Sequence, residues 1–320
     1  MVAHNSAAEL GRTLPALAAQ LAPGDELIVA DNDSSDASAA TVTELVPGAQ
    51  VVATGANIGF PAGVNAAESR ASGDVLVILN PDAEPLPGFR DAIVAPLLER
   101  RGWAAWMGLV TTKAGSQVNS EGNPLHFTGI TWAGGHGTPV AEEAGPREVT
   151  IASGACLAVS RDAFERLGGM ADRFFLYHED VDLSMRLHLA GERVGIEPAA
   201  AVDHDYEFIR GFQKWRFMER NRWLFLLRTY PASLLALIPV SVAGGWGREK
   251  LLANLDVVRR LPWALRSRGA VQRSRAIGTA EFARLLTPDL DSPFFGRAGQ
   301  SAPLRWALRA YWRVVLALLR

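Results

Sequence analysis

Apolar residues follow two different spacings along the first half of the chain. After a stub of apolar residues, Met1-Val2-Ala3, leucines at 10, 14, 17 and 21 recur at the helical period. This predicts a helix over 7–21, capped by Asn5 or Ser6 and ended by Pro23-Gly24. Short apolar runs at 26–30, 51–54 and 74–79, bounded by turn-forming residues, read as buried strands. Helices are expected over 63–71 and over about 179–190, the second closed by Gly191. Strands alternating with helices predict an α/β domain with a parallel sheet and helices on both faces. Ligands of such sheets lie beyond the carboxyl ends of the strands. Polar clusters fall at those ends: His4-Asn5, Asp31-Asn32-Asp33 and Asn80-Pro81-Asp82.

From 214 onward the pattern is helical, with breaks expected at Pro231, Pro239, Pro262, Pro288, Pro293 and Pro303. The apolar stretch 223–245 is interrupted by Arg228, and its cleanest run, 232–243, is 12 residues long. A bilayer crossing needs about 20, so a buried or re-entrant hairpin fits better. In the last helix Arg305, Arg309 and Arg313 oppose Leu304, Leu308, Tyr311, Trp312, Val315 and Leu319. That is the pattern of a helix lying in a membrane interface; a helix packed on its own domain shows the same pattern.

Charge divides the chain at the same place. Residues 1–209 hold 12 basic and 28 acidic residues; residues 210–320 hold 20 and 6, so the net −2 conceals an acidic part and a basic part. The division implies a catalytic domain over 1–213 and a helical, basic, membrane-associating region over 214–320. Nothing in the basic part matches a nucleic-acid motif, so no nucleic-acid partner is expected. The single cysteine, Cys156, allows no internal disulfide and suits a reducing compartment. No signal-peptide pattern opens the sequence, so a cytoplasmic protein, peripheral on the inner face of the cell membrane, is the expectation. Neither G-x-G-x-x-G after the first strand nor G-x-x-x-x-G-K-[ST] occurs, which argues against a dinucleotide dehydrogenase and a P-loop nucleotidase.

Several segments carry a family resemblance: HNSAAELGRTLPAL at 4–17, VADNDSSDAS at 29–38, ANIGFPAGVNAA at 56–67 and VLVILNPDAEPLPG at 75–88. SGACLAVSRDAFERLGGMADRFFLYHEDVDLSMRLHLAG at 153–191 and VDHDYEFIRG at 202–211 continue it. Together and in this order they resemble the family 2 glycosyltransferases of the GT-A fold, in their bacterial rhamnosyltransferase-like branch, which implies a Rossmann-like sheet that is mixed but mainly parallel. The sequence departs from the family in two places. Only Met1–Ala3 precede His4-Asn5, where the family has a full apolar strand, and Asn80-Pro81-Asp82 stands for Asp-x-Asp.

The resemblance implies an inverting, metal-dependent transfer of a sugar, rhamnose among the candidates, from a dTDP-, UDP- or GDP-sugar to a cell-envelope glycan or lipid-linked acceptor. Asp180 is the implied base, with Glu179 as its helper. Asp82 and His204 are the implied ligands of Mn2+ or Mg2+, and an imidazole ligand shifts the preference toward Mn2+. Ala3 and His4 would flank the nucleobase, Asp31 would accept a hydrogen bond from it, and Asn57 and Asn80 would lie near the donor. Asn32, Asp33 and Asp36 read as turn and cap residues, and Cys156 as packing. The glycine-rich stretch 132–137 reads as a loop able to close over a sugar. The alternative is a catalytically degenerate domain acting as a membrane-associated scaffold or binding protein.

Overall fold

The computed structural model describes residues 1–141, 144–204, 212–238, 247–292, 295–296 and 301–319. The 205–211 part of the last resembling segment, Pro239, Pro293 and the 239–245 part of the apolar stretch lie outside the described residues.

The first layer is a parallel sheet in the order β1-β2-β3, formed by Val2–Ala3, Ile28–Asp31 and Gln50–Ala53. Helices α1 (Ala7–Ala18) and α2 (Ser38–Leu45) make its first two crossovers, and α3 (Phe60–Glu68) follows β3. α1 buries Leu10, Leu14 and Leu17 as the spacing requires, but it ends at Ala18, short of Leu21. β1 has two residues, and the Met1 ammonium group donates to the Ile28 carbonyl at 2.9 Å as a peptide N–H would. A cavity of about 440 Å3, lined by residues including Leu27, Ile28, Val75, Val77 and Ile93, lies between β2 and the next strand, β4.

The second sheet runs β4-β9-β6-β10-β5, with β7 on β6 and β8 on β10. Its strands are β4 (Val75–Leu79), β5 (Glu84–Pro85), β6 (Trp103–Thr112), β7 (Gln117–Ser120), β8 (Arg147–Glu148), β9 (Cys156–Ser160) and β10 (Arg193–Asp203). Among the described residues only β6 and β10 pair in parallel here; the other ladders are antiparallel. The α/β class and the mixed sheet are as expected, while the parallel share is smaller. Two strand insertions, β7 and β9, return to the sheet without a helical crossover, and such returns pair antiparallel. Helices α4 (Phe89–Leu98), α5 (Arg161–Arg166) and α6 (Glu179–Leu189) complete this part.

The remaining helices are α7 (Phe212–Thr229), α8 (Ala232–Leu237), α9 (Gly247–Arg273), α10 (Thr279–Arg284) and α11 (Ala302–Leu318). Pro262 does not break the chain as expected but lies inside α9, and Pro303 begins α11. Proline is well tolerated in a first turn, where its missing N–H has no acceptor to lose. One apolar core joins these helices to the α/β part: Phe127, Phe174, Val181, Met185 and Leu189 pack with Leu224, Phe225, Phe282, Trp312 and Val315. The face of α11 expected to meet lipid therefore meets protein. Trp312 stacks on Phe127 with ring centroids 4.9 Å apart, and Leu308, Tyr311 and Leu319 pack against the same core.

Candidate active site

The loops after β1, β2 and β3 are knitted into one surface. Asn5 Oδ1 accepts from Ser35 N at 2.7 Å, and Asp36 accepts from the Ala7 and Ser38 amides. Asn32, almost fully buried, accepts from Ile58 N and donates to Asn57 Oδ1, so Asn57 holds its loop against the end of β2. His4 is exposed, its Nδ1 2.8 Å from the Asn32 carbonyl. Asp31 is half-buried and accepts from Ser34 N through Oδ1. Ala3 is fully buried, and its carbonyl accepts from Asn32 N at 2.7 Å. It shapes the end of β1 and offers no side chain to a ligand.

Asp82 and His204 meet from different elements. His204 follows β10; its N–H donates to Thr111 O and its carbonyl accepts from Asn119 Nδ2. Its Nε2 stands 3.0 Å from Asp82 Oδ1, with 37% of the Asp82 side chain and 7% of the His204 side chain exposed. Burial opposes ionisation of Asp82, but the contact with His204, aided by Arg12 of α1, holds its carboxyl below the usual range. Cis ligands of an octahedral ion, each about 2.1 Å from it, are about 3.0 Å apart. The pair thus fits adjacent corners of a Mn2+ or Mg2+ shell. No third His, Cys, Asp or Glu joins them among the described residues. An oxygen-rich substrate and water would fill the remaining corners. Asp203 is occupied elsewhere, accepting from Thr111 Oγ1 and from the Ala114 and Gly115 amides in the β6–β7 turn.

The carboxylates of α6 have three different fates. Asp182 is fully buried and accepts from Arg186 at 2.7 Å and Arg228 at 2.5 Å. Burial opposes its ionisation, yet the two guanidinium groups hold it ionised. It anchors α7 to α6 and takes no part in proton transfer. Glu179 is buried, and no hydrogen-bond partner reaches its Oε2 among the described residues. Burial and the neighbouring Asp180 charge push its carboxyl up to about 8. Asp180 remains half-buried and accepts from Gly154 N at 3.0 Å and Val181 N at 2.8 Å. Burial raises its pKa and outweighs these two amides. A raised pKa makes Asp180 a stronger base. Burial and the Asp180 charge thus favour the protonated form of Glu179 and leave the charge of the adjacent pair mainly on Asp180.

The segment ahead of α6 is held from the C-terminal region, which sequence reasoning did not foresee. Phe175, Tyr177 and His178 all have positive φ, at 67°, 70° and 70°. Left-handed backbone is unfavourable for such residues. Asn221 of α7, fully buried, donates through Nδ2 to the carbonyls of Phe174, Leu176 and Tyr177 at 3.1, 2.7 and 2.7 Å. Arg220 donates to the Phe174 carbonyl as well. From the other side, Phe60 N donates to Phe175 O, and a side chain at Gly59 would collide with Phe175. The α3 loop and the α6 loop are therefore in direct contact.

Cys156 is fully buried and its thiol is pushed up to about 12 by burial, so it packs. His126 and His188 contact Thr128 Oγ1 and the Thr150 carbonyl, and both are structural. The glycine-rich 132–137 stretch is not a free loop. Gly134 O and Gly137 N bond to Glu121 and Val118 beside β7, and a Cβ at Gly134 would strike the Gly122 carbonyl.

Residues 1–168 match the family model described as Glycosyl transferase family 2. N-acetylglucosaminyl-diphospho-decaprenol L-rhamnosyltransferase of Mycobacterium tuberculosis is 29% identical over 226 residues, covering 63% of this chain and 74% of that protein. GalNAc-T7, solved with UDP, GalNAc and Mn2+, shares the fold with a TM-score of 0.61 at 16% identity, over 83% of this chain and 55% of that one. TarS 1–349 of S. aureus in complex with UDP gives 0.52 at 16% identity, over 98% and 90%. With the α/β fold, the carboxylate-bearing α6 and a family match spanning more than half of its length, the chain belongs to glycosyltransferase family 2.

Proposed function

We propose that this glycosyltransferase moves one sugar from a nucleotide diphosphate sugar to a hydroxyl of a cell-envelope glycan or lipid-linked acceptor, inverting the anomeric carbon. The observation that carries this is the ridge at Gly154-Ala155. Asn80 N, two residues from Asp82, donates to Ala155 O at 3.0 Å, and Gly154 N donates to Asp180. The metal-ligand end of β4 and the base on α6 are thus joined through adjacent residues.

Asp180 takes the proton of the acceptor hydroxyl as that oxygen bonds to the anomeric carbon. The bond from this carbon to the diphosphate oxygen breaks on the opposite face. Protonated Glu179 keeps the charge of the pair on Asp180. A Mn2+ or Mg2+ held by Asp82 and His204 would neutralise the leaving diphosphate. Arg12 lies on the same side, and the nucleoside follows His4, Asp31 and Asn57. The mycobacterial relative is named for L-rhamnose and a lipid diphosphate acceptor, so dTDP-rhamnose is the first donor to test, ahead of UDP- and GDP-sugars. Attachment to the cytoplasmic face of an anionic membrane follows from the basic C-terminal region. No helix is long and apolar enough to cross a membrane among the described residues.

Thermal unfolding with dTDP, UDP, GDP and CDP, each with and without Mn2+, tests the reading on wild type and Asp82→Ala. A ligand at 100 times its Kd adds about 2.7 kcal/mol of stability. A metal-dependent shift with one nucleotide, lost in Asp82→Ala, is expected. No shift with any nucleotide would overturn the reading in favour of a scaffold.

A further inference from the structure

Helix α9 carries two apolar faces. One, with Ala253, Ala264 and Val271, is buried, and Arg216 of α7 bonds to Asp256 on that side. The other points outward. Leu251, Leu255, Val258 and Leu265 are exposed to 60%, 44%, 65% and 53%. Their spacing, with exposed Pro262 between, places them on one stripe about 21 Å long at 1.5 Å per residue. Exposed apolar side chains scattered singly are ordinary, but a continuous helical stripe is not.

The charges beside the stripe are of one sign. Arg248, Arg259, Arg266 and Arg273 are exposed, whereas the helix's two acidic residues are covered: Glu249 is 17% exposed and Asp256 8%. Asp256 is further bound by Arg216, Arg259 and Arg260. A second copy of the chain seated on this face would bring arginines against arginines. An anionic bilayer surface satisfies both features, taking the leucines among its acyl chains and the guanidinium groups among its phosphates.

We propose that the outward stripe of α9, Leu251-Leu255-Val258-Pro262-Leu265 with its flanking arginines, is the face that docks on anionic lipid. This rests on the membrane attachment proposed above and moves it away from the apolar face of α11, which the core already occupies. Because the opposite side of α9 is packed on the protein, the helix can only lie in the plane of the interface. The depth reached is that of one row of side chains.

Co-sedimentation of the full chain with vesicles of phosphatidylcholine alone, and of phosphatidylcholine with phosphatidylglycerol, provides the test. Three proteins are compared: wild type, Leu251→Ser/Val258→Ser/Leu265→Ser, and Trp306→Ser/Val314→Ser/Leu318→Ser, which alters exposed side chains of α11. All substituted positions are exposed, and unfolding temperatures within a few degrees of wild type check the fold. Wild type is expected to bind only the phosphatidylglycerol vesicles, with the partition coefficient reduced at least about tenfold in the α9 variant and little changed in the α11 variant. If the α9 variant binds like wild type, this face is not the docking surface, although attachment stands. If wild type binds neither vesicle, membrane attachment itself fails. Sedimentation retained by a wild-type sample cross-linked as a dimer through α9, with this face covered, would overturn the proposal.

Discussion

Replacing Asn221 by alanine should separate catalysis from donor binding. The side chain lies on α7, outside the α/β layers, and its amide donates to the carbonyls of Phe174, Leu176 and Tyr177. The two N–H protons of Asn221 are shared among three carbonyls and Arg220 adds a bond to the Phe174 carbonyl, so at about 1 kcal/mol net per bond the clamp is worth about 3 kcal/mol, about 2 of it from Asn221. Against it stand the positive φ angles of Phe175, Tyr177 and His178. At about 1 kcal/mol or more each, they store about 3 kcal/mol of strain. The two quantities nearly match, so removing the amide leaves the strain unopposed and lets the segment relax. Asp180 lies two residues beyond His178 and moves with it. Displacement of a reacting group by about 1 Å costs about 100-fold in rate. Asn221→Ala is therefore expected to lower kcat for sugar transfer by about 100-fold while KM for the donor changes less than about threefold, because the donor loops do not touch Asn221. Asn221→Asp should be worse, since a carboxylate would face three carbonyls. Initial rates over a matrix of donor and acceptor concentrations, with nucleotide binding followed by thermal shift, give the measurement. Wild-type kcat in an Asn221→Ala protein that has lost stability would refute the reasoning: the clamp would then hold the fold and not the base.

Four further outcomes are expected. Asp180→Asn should reduce transfer about 1000-fold or more with nucleotide binding intact. Glu179→Gln should stay active at pH 7 and lose an alkaline inflection near pH 8, since glutamine mimics the protonated form; a dead Glu179→Gln enzyme would make Glu179 the base. Asp182→Ala leaves Arg186 and Arg228 buried without their partner and should cost about 3–5 kcal/mol in urea unfolding; a loss under about 1 kcal/mol would show the triad to be dispensable. His126 and His178 are both pushed down to about 4 by burial and are neutral when folded. The unfolded chain binds protons at these sites below about pH 6.5, so stability should fall between pH 6.5 and 4, by about 3 kcal/mol per histidine. A urea midpoint unchanged over that window would contradict their burial.

Legibility in the sequence depended on whether a pattern names its own partner. β4 and α6 could be read because an apolar run between turn signals, and acidic residues opening a helix before Gly191, each have one usual structural meaning. Asp82 and Asp180, the proposed metal ligand and base, stand out in the sequence through segments that resemble the family's motifs. The stripe of α11 could not be assigned, because a row of Leu308, Tyr311, Trp312 and Val315 is equally suited to lipid and to Phe127. The carboxylates at 179, 180 and 182 looked alike because what distinguishes them, Arg228 forty-six residues further on for Asp182 and Gly154 N for Asp180, is tertiary. Asn221 sits in no motif, and only the carbonyls around it reveal its work. Pro262 was read as a break because local propensity ignores the packing that keeps α9 helical around it.

The core shared by Phe127 and Trp312 also bears on how the protein is made. Trp312 is synthesised 185 residues after the ring on which it stacks. At about 5–20 residues per second, Phe127 waits roughly 10–40 s for its cover. Arg228, which neutralises buried Asp182, follows it after 46 residues, or roughly 2–9 s. A nascent chain that already contains every carboxylate of the site therefore still lacks the groups that fix α6 and the segment before it. Activity must therefore wait until α7 and α11 have been made and have docked, and the bare aromatic face is a natural surface for a chaperone in the interval.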